Sequence, residues 1–210
     1  MSPVIAKIER LQVRRGGRTI IADFELAIEA GEVIGLVGKN GCGKSTLLLA
    51  VAGVLAPTDG RVVIDNASVW GTSKDRIRAR KALGYVPEAA DPPGFLLAGE
   101  LWAMCAVSRG AEAPTPSLVE TLGLDELREL ALERMSLGQR RRACLAAALI
   151  GPPKLLVLDE PDNGLDAKRT ESLVTLLKDH AAAGNAAIVA THDRELLDRV
   201  GARIVGLQGT

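Results

Sequence analysis

One segment of this 210-residue sequence reads Gly38-Lys39-Asn40-Gly41-Cys42-Gly43-Lys44-Ser45 and is followed by Thr46. Its glycines permit backbone conformations that other residues rarely adopt, so successive N–H groups can turn inward around phosphate oxygens. The apolar run 33–37 before it suits a buried strand, and the run 46–52 after it suits a helix. Strand, loop and helix in this order predict a nucleotide triphosphate site, and a ligand-free glycine-rich turn is the alternative.

Two side chains of the segment carry the chemistry of such a site. Lys44 is placed to reach the β- and γ-phosphates, and the Ser45 hydroxyl is placed to bind Mg²⁺. The helix that follows adds its N-terminal N–H groups, which attract anions. The sequence therefore predicts a triphosphate bound together with a magnesium ion.

Composition excludes several classes of protein. Lys plus Arg and Asp plus Glu both count 26, so no overall positive charge points to nucleic acid. The apolar share is 47%, yet no stretch approaches the roughly 20 uncharged apolar residues that a membrane span needs. We expect one domain that neither binds nucleic acid nor crosses a bilayer by itself.

The three cysteines, Cys42, Cys105 and Cys144, are odd in number and widely spaced. This pattern favours reduced thiols in a cytosol over disulfides or a metal site. The first residues also lack the pattern of a secretory signal. We therefore expect a cytoplasmic protein, in which Cys42 is a small residue tolerated in a turn or, alternatively, a thiol sensitive to oxidation.

Periodicity predicts an α/β fold. Two segments that alternate apolar and polar residues, 4–14 and 19–28, flank Gly16-Gly17 and predict a hairpin or antiparallel layer. From residue 154 onward, strands and helices alternate, which predicts a parallel sheet with helices packed on its faces. The predicted elements there are 155–158, 167–183, 186–190, 194–200 and 203–207, and residues 60–65 form a further strand of the first half.

The region between these halves has a different texture. Proline-containing turns at 91–94 and 113–116 punctuate segments of helical period at 97–107 and 117–122. We interpret 91–134 as a small helical subdomain inserted into a nucleotide-binding core made of residues 1–90 and 135–210.

An apolar strand ending in two acids reads Leu155-Leu156-Val157-Leu158-Asp159-Glu160. Ligands of parallel sheets gather at the carboxyl ends of the strands, so both acids are expected beside the phosphate-binding loop. Asp159 can hold Mg²⁺, and Glu160 can polarise a water aimed at the γ-phosphate. An acidic pair that merely caps the next helix is the alternative.

A second anion site is predicted at Ser136-Leu137-Gly138-Gln139, which opens a helix over about 140–150. It combines a serine, a glycine and free helical N–H groups, but it has no lysine. One triphosphate site does not require two such anion sites within one chain. The second site therefore predicts that two chains share nucleotides.

These motifs, in order along nearly the whole chain, resemble the ATPase subunits of ATP-binding cassette (ABC) transporters. The resemblance is to Walker A at 38–46, Walker B at 155–160, the LSGGQ signature at Met135-Ser136-Leu137-Gly138-Gln139, the D-loop at Asn163-Gly164-Leu165-Asp166 and the switch histidine in Thr191-His192-Asp193. It implies the ABC ATPase fold, with a P-loop core, an antiparallel layer and a helical insert. It also implies ATP and Mg²⁺ as cofactors.

The resemblance further implies a mechanism. Two subunits, either two copies of this chain or this chain and a paired subunit, pack head to tail. Ser136, Gly138 and Gln139 of one then face the γ-phosphate held by Lys44 of the other. Glu160 activates water, and His192 contacts the γ-phosphate. A separate transmembrane permease provides the only attachment to the membrane. The other histidine, His180, is interpreted as a solvated side chain.

Three positions depart from the family pattern. Glu88 stands where a glutamine is usual; it either faces Mg²⁺, making closure more dependent on that ion, or is a solvated loop residue. Arg15 stands where an aromatic usually stacks on adenine, so it either stacks on the base or lies free on the surface. Asp162 stands where threonine or serine is common.

The predicted function is that of a transporter ATPase, with export favoured because Val86-Pro87-Glu88 resembles exporter-type subunits. A permease helix is expected in a groove near residues 88–102, whose apolar residues form either the wall of that groove or, alternatively, part of the core: Phe95, Leu96, Leu97, Leu101 and Trp102. The alternative from another class is a soluble, non-transport ABC ATPase, for example of the iron–sulfur assembly type. A small-molecule kinase would leave 136–139 unexplained.

Overall fold

The computed structural model describes residues 2–90 and 92–208, in which two sheets are covered by α-helices. The four-stranded antiparallel sheet has the order β2-β1-β4-β5, and the five-stranded parallel sheet has the order β6-β7-β8-β3-β9. The strands are β1 Val4–Arg15, β2 Arg18–Glu29, β3 Val33–Val37, β4 Asp59–Ile64, β5 Ala67–Ser68, β6 Leu83–Val86, β7 Leu155–Asp159, β8 Ala186–Ala190 and β9 Arg203–Gly206. The α/β fold predicted from the sequence is confirmed.

The antiparallel sheet is built on a hairpin of β1 and β2 that turns at Gly16-Gly17. Its inner face carries alternating buried residues, such as Ile8 and Val13 of β1, and packs into one apolar cluster with helix α1, Lys44–Val51. Because one face is buried and the other exposed, the period of two was readable in the sequence.

Every strand pair of the parallel sheet runs in the same direction. Strands β7 and β8 are buried along their whole length, as expected for a sheet covered on both faces. The carboxyl ends of β3, β6, β7 and β8 therefore meet at one edge. The segments that leave this edge begin at Gly38, Pro87, Glu160 and Thr191.

The remaining α-helices are α2 Ser73–Lys81, α3 Ala98–Arg109, α4 Pro116–Leu122, α5 Leu137–Leu149, α6 Ala167–Ala182 and α7 Arg194–Arg199. Helix α5 begins three residues earlier than predicted, because Ser136 caps it. No pattern in the sequence predicted α2, in which Ala79 is the buried residue and the others are polar apart from the exposed Ile77. Strand β6, which has four residues including a glycine, was not predicted either.

Residues 92–134 contain α3, α4 and two short 3-10 turns. Their buried side chains, including Trp102 and Leu127, belong to the same apolar cluster as Leu158 of β7. The guanidinium of Arg109 in α3 also donates to the carbonyls of Ala148 at 2.7 Å, Ile150 at 2.6 Å and Leu83 at 3.1 Å. The helical segment thus shares its core with the sheet, and its boundaries at 91 and 134 stay a proposal.

No helix in the described ranges is both long enough and apolar enough to span a bilayer.

Candidate nucleotide site

The N-terminus of α1 forms the centre of the site. Gly43, at the N-cap, has φ 104° and ψ 12° in the left-handed region and provides no side-chain cap. A Cβ there would be strained and would lie 2.9 Å from Ile21 Cδ1. The first N–H groups of the helix are consequently left for an external acceptor, and an anion is the acceptor they favour.

Lys44 is the first residue of α1 and is only 9% exposed. Its Nζ donates to the carbonyl of Gly38 at 3.1 Å, which folds the side chain back over the loop. A buried ammonium is costly unless it is paired with an anion. The loop therefore holds a positive charge where bound phosphates would lie.

A cleft of about 600 Å³ surrounds this loop and brings distant segments together. The cleft is lined by the loop together with Arg15, Glu88, Glu160 and His192, which the sequence predicted to lie near the nucleotide. The full lining is Arg15, Ile20, Asn40, Gly41, Gly43, Lys44, Ser45, Thr46, Glu88, Glu160, Asp162, Asn163 and His192.

Other predicted residues lie beside or beneath this cleft. Gly38 and Lys39 line an adjoining cleft that also contacts His192. Cys42 is 7% exposed and packs into the apolar cluster under the loop. Asp159 is 2% exposed at the end of β7. The second predicted anion site, 136–139, is absent from the residues that line the cleft within the described chain.

Asp159, Ser45 and Glu88 are the residues that would hold a magnesium ion. Burial raises the pKa of Asp159, and the negative charge of Glu88 raises it further, whereas a hydrogen bond from Ser45 lowers it. Two carboxylates and one hydroxyl supply the hard oxygen ligands that Mg²⁺ prefers. A divalent cation between them would also relieve the repulsion between Glu88 and Asp159, so this donor set fits Mg²⁺.

Glu160 follows β7 in a strained conformation, with φ 46°, and its N–H donates to the carbonyl of Ala190 at 2.7 Å. Its Oε1 lies 3.3 Å from Nε2 of His192. Burial raises the pKa of Glu160, while His192 opposes this shift. The arrangement holds a largely buried carboxylate and a largely exposed imidazole at the mouth of the cleft, where a water could be oriented.

A contact that the sequence reasoning missed joins the loops after β7 and β8. Oδ1 of Asp162 accepts a hydrogen bond from Oγ1 of Thr191 at 2.7 Å. Polar residues that follow neighbouring parallel strands emerge at the same edge, which brings the two loops together but does not by itself predict this pair.

The segment 136–139, which we call the signature site, forms a capping box at the start of α5. The N–H of Ser136 donates to Oε1 of Gln139 at 2.9 Å, and the N–H of Gln139 donates to Oγ of Ser136 at 3.2 Å. A Cβ on Gly138 would lie 2.5 Å from the carbonyl oxygen of Gly164. The predicted D-loop therefore packs directly on the signature site of the same chain.

Two sequence interpretations were wrong. Trp102 is 2% exposed, and its Nε1 donates to the carbonyl of Ala143 at 2.9 Å, so it belongs to the core and not to a groove wall. His180 is 7% exposed because it lies on the inner face of α6, where a hydrogen bond to the backbone of Ala186 in β8 holds it. Trp102 lies among apolar residues of α3, some of which are exposed, and His180 follows the polar residues Lys178 and Asp179, so neither burial was evident in the sequence.

Comparison with known proteins identifies the family. A family model described as ABC transporter matches residues 21–163. The chain is 35% identical to the cobalt import ATP-binding protein CbiO of Rhodobacter capsulatus, covering 97% of this chain and 75% of that protein. It is 34% identical to the cytochrome c biogenesis ATP-binding export protein CcmA of Nitrosococcus oceani, covering 89% and 85%. It spans only 36% of the length of a putative ABC transporter ATP-binding protein of Streptomyces avermitilis, to which it is 37% identical over 96% of this chain.

Solved structures agree on the fold. A structure described as the ATP-binding subunit of an ABC transporter superposes with a TM-score of 0.89 at 22% identity, covering 97% of this chain and 86% of that one. A dimeric bacterial ABC transporter cassette, MJ0796, superposes with a TM-score of 0.83 at 25% identity, covering 97% and 94%. The chain belongs to the ABC transporter family, as an ATP-binding subunit.

Proposed function

We propose that this chain hydrolyses ATP with Mg²⁺ and powers transport through a separate permease, as one half of a dimer whose two nucleotides are shared between subunits. The observation that carries the proposal is the separation of the two anion sites. The loop, Glu160 and His192 share one cleft, while the signature site lies outside it. A second subunit is the element that can bring a signature site to this cleft.

The residues of one chain perform the first part of the reaction. N–H groups at the start of α1 and the ammonium of Lys44 bind the phosphates and balance their charge. Ser45, Asp159 and Glu88 would hold Mg²⁺, which would supply charge neutralisation for the bound phosphates. Glu160 orients the attacking water and accepts its proton, with His192 beside it.

The signature site completes the reaction from the other subunit. Its capping box uses the N–H groups of Ser136 and Gln139, which leaves the N–H groups of Leu137 and Gly138 and the Ser136 hydroxyl hydrogen for an anion. A γ-phosphate held in the opposite loop is such an anion. Hydrolysis and release of that phosphate remove the link between subunits and let the dimer open.

The dimer is tested with Glu160→Gln, which binds ATP but lacks the base. We expect its mass, measured by light scattering with excess MgATP, to double. The double variant Glu160→Gln/Lys44→Ala should remain monomeric under the same conditions. The wild-type chain should hydrolyse ATP and release phosphate steadily. A Glu160→Gln protein that remains a single copy with MgATP, even beside its permease, would refute the shared-nucleotide mechanism.

A groove of about 450 Å³ is the proposed contact for the permease. Its lining includes Pro87, Ala90 and Leu101, so it lies beside Glu88 and between the sheet and α3. The lining also includes Ala89, Pro92 and Cys105. Exposed apolar side chains of this kind are typical of a protein-binding surface, and a helix of a membrane protein would cover them.

Copurification decides between this function and that of a soluble ABC ATPase. In mild detergent, the wild-type chain should retain a polytopic membrane protein. Ala89→Glu, at an exposed residue of the groove lining, should lose that protein while keeping the ATPase rate of the isolated chain. Purification of the wild type with soluble proteins alone would favour the non-transport alternative.

We propose export as the direction of transport, on the basis of Glu88 after Val86-Pro87. The relatives include proteins named for import and for export, so they support neither direction. Mass spectrometry of cells and medium, comparing wild type with Glu160→Gln, tests it. A compound that accumulates inside the mutant cells supports export, and one that accumulates in the medium contradicts it.

A further inference from the structure

A single threonine hydroxyl fixes the backbone around His192. Oγ1 of Thr191 donates to Oδ1 of Asp162 at 2.7 Å and accepts the N–H of Asp193 at 3.0 Å. Thr191 is 3% exposed, so water competes little for these bonds. Because Thr191 and Asp193 stand on either side of His192, this hydroxyl sets the path of the chain through the histidine.

The imidazole has few restraints of its own. The His192 side chain is 58% exposed, and the contact of its Nε2 with Glu160 is 3.3 Å long. The backbone N–H of His192 also donates to the Glu160 carboxylate. Asp193, in turn, caps α7 by accepting the N–H of Leu196 at 3.0 Å. The position of the ring relative to Glu160 therefore depends on the backbone of 191–193.

We propose that Asp162 is a positioning residue for ATP hydrolysis, which holds His192 in register with Glu160 through the hydroxyl of Thr191. The inference rests on the proposed hydrolytic function. A carboxylate accepts a hydroxyl hydrogen more strongly than a neutral oxygen does. An aspartate at this position therefore joins the loop after β7 to the loop after β8 more firmly than a threonine or serine would.

Asp162 also begins the segment that touches the signature site. The N–H of Leu165 donates to the carbonyl of Asp162 at 3.0 Å, and Gly164 packs on Gly138. A displacement of the signature site by a second subunit would reach Asp162 through three residues of chain. The hydrogen bond between Asp162 and Thr191 would then pass this displacement on to His192.

A charge effect on Glu160 is the competing explanation, since the carboxylate of Asp162 raises the pKa of Glu160. Asp162→Asn separates the two, because it keeps Oδ1 as an acceptor and removes the charge. Asp162→Ala removes both, and Thr191→Val removes the hydroxyl with little change of shape. If the hydrogen bond is responsible, Asp162→Asn retains the wild-type rate within about twofold, whereas a charge effect makes it as slow as Asp162→Ala.

Steady-state kinetics give the first test. Asp162→Ala and Thr191→Val should each lower kcat about tenfold, with KM for ATP changed less than about twofold. Because both single variants lose the Asp162–Thr191 bond, the double variant should be no slower than the slower of the two. Asp198→Ala, at an exposed acid on α7, is the matched control and should match the wild type. Additive losses in the double variant would overturn the proposal.

Nuclear magnetic resonance gives a test that does not depend on turnover. The chain has 2 histidines, so labelled histidine yields two imidazole signals. In Asp162→Ala and Thr191→Val, the His192 signal should shift and sharpen as the ring gains freedom. The signal of His180, buried between α6 and β8, should stay in place and show that the fold is intact.

The two tests separate the two claims. A wild-type chain that never hydrolyses ATP defeats the proposed function, and the His192 signal still decides whether Asp162 positions the ring. An unchanged His192 signal in both variants, or an Asp162→Asn enzyme as slow as Asp162→Ala, overturns the positioning role.

Discussion

Helices α1 and α5 both begin at a glycine or serine that precedes an anion site, but their N-termini are satisfied differently. At α1, Gly43 offers no side-chain cap, and Lys44 is buried beside the free N–H groups. At α5, Ser136 and Gln139 cap each other, and no lysine follows. The first site has free N–H donors and a positive charge that is hydrogen-bonded to the carbonyl of Gly38, whereas two of the N–H donors at the second site are already bonded within the capping box.

Under the proposed shared-nucleotide mechanism, this difference would let two unlike anion sites act on one nucleotide. The loop site at 38–46 can bind a triphosphate within a single chain, since its charge and its donors are in place. The signature site adds a few neutral donors, which suffice only for a phosphate that is already held elsewhere. Variants that act on one site alone should therefore give different phenotypes.

Lys44→Ala should have the largest effect. It removes the charge that balances the γ-phosphate, and we expect hydrolysis to fall by about 1000-fold, the upper range for loss of one preorganised electrostatic group. Nucleotide binding to the single chain should weaken as well, measured by displacement of a fluorescent ATP analogue. Lys74→Ala, at an exposed lysine of α2, is the control for loss of a surface charge. A Lys44→Ala chain that binds and hydrolyses ATP normally would show that the loop site is not the one used.

Gly138→Ala should impair the signature site and leave the loop site intact. The new Cβ would lie 2.5 Å from the carbonyl oxygen of Gly164, so either α5 or the 163–166 segment must move. We expect hydrolysis to fall by roughly 100-fold, as for an active site misplaced by about 1 Å. Nucleotide binding to the single chain should remain normal.

Gly206→Ala is the control for this change, because an added Cβ there meets no atom within 4 Å. Calorimetric titration with ATP and a phosphate-release assay, run on both variants, separate binding from turnover. Impaired ATP binding by the single Gly138→Ala chain would mean that the two sites are not independent.

Ser136→Ala should have an intermediate effect, which separates capping from phosphate binding. Loss of an N-cap costs about 1 kcal/mol, or roughly 2–4 °C in melting temperature for a chain of this size. Thr115→Ala removes the N-cap of α4 in the same way, so it should lower stability by a similar amount. Only Ser136→Ala should also slow hydrolysis, by about tenfold, since a hydrogen bond to a charged phosphate is lost. Equal rates in the two variants would assign Ser136 to the fold alone.

The elements that the sequence predicted well share a physical cause. A hairpin with one buried face keeps a period of two, and strands buried on both faces read as apolar runs that end in polar residues. For this reason β1, β2, β7 and β8 were predicted within about one residue of their ends, and the fold class followed from their order. Because parallel strands end at the same edge of a sheet, the sequence also predicted that Asp159, Glu160 and His192 lie at one edge.

The elements that were missed lack such a signal. Helix α2 depends on its Thr72–Asp75 capping box and on a single buried alanine, so it has no apolar period. Helix α3 carries exposed apolar residues such as Met104 and Val107 as well as the buried Trp102, and His180 is a polar residue on the buried face of α6, so only the path of the chain decides which side chains are covered. The hydrogen bond of Asp162 with Thr191 joins residues 29 positions apart, and no local pattern predicts that pair.

Glu88→Gln should have a smaller effect, confined to the loop site. The carboxylate of Glu88 acts on Asp159 and adds negative charge where a triphosphate would bind. Without this carboxylate the repulsion is smaller, but Mg²⁺ also loses a charged ligand and binds less tightly, so we expect the Mg²⁺ concentration for half-maximal dimerisation in the Glu160→Gln background to rise about threefold. Glu25→Gln, at an exposed position of β2, is the control. An unchanged Mg²⁺ requirement and an unchanged rate would indicate that Glu88 is merely a solvated loop residue.

Arg15→Tyr should have the smallest effect, because it touches the base and not the phosphates. Arg15 ends β1 and lines the cleft, where its guanidinium can stack on a purine without distinguishing adenine from guanine. A tyrosine ring should favour ATP over GTP by about threefold more than the wild type does, whereas Arg15→Ala should weaken binding of both nucleotides alike. Competition of ATP and GTP for the loop site of the single chain measures this directly. If Arg15→Ala binds both nucleotides like the wild type, the side chain contributes no stacking, and recognition by the loop site rests on the phosphates alone.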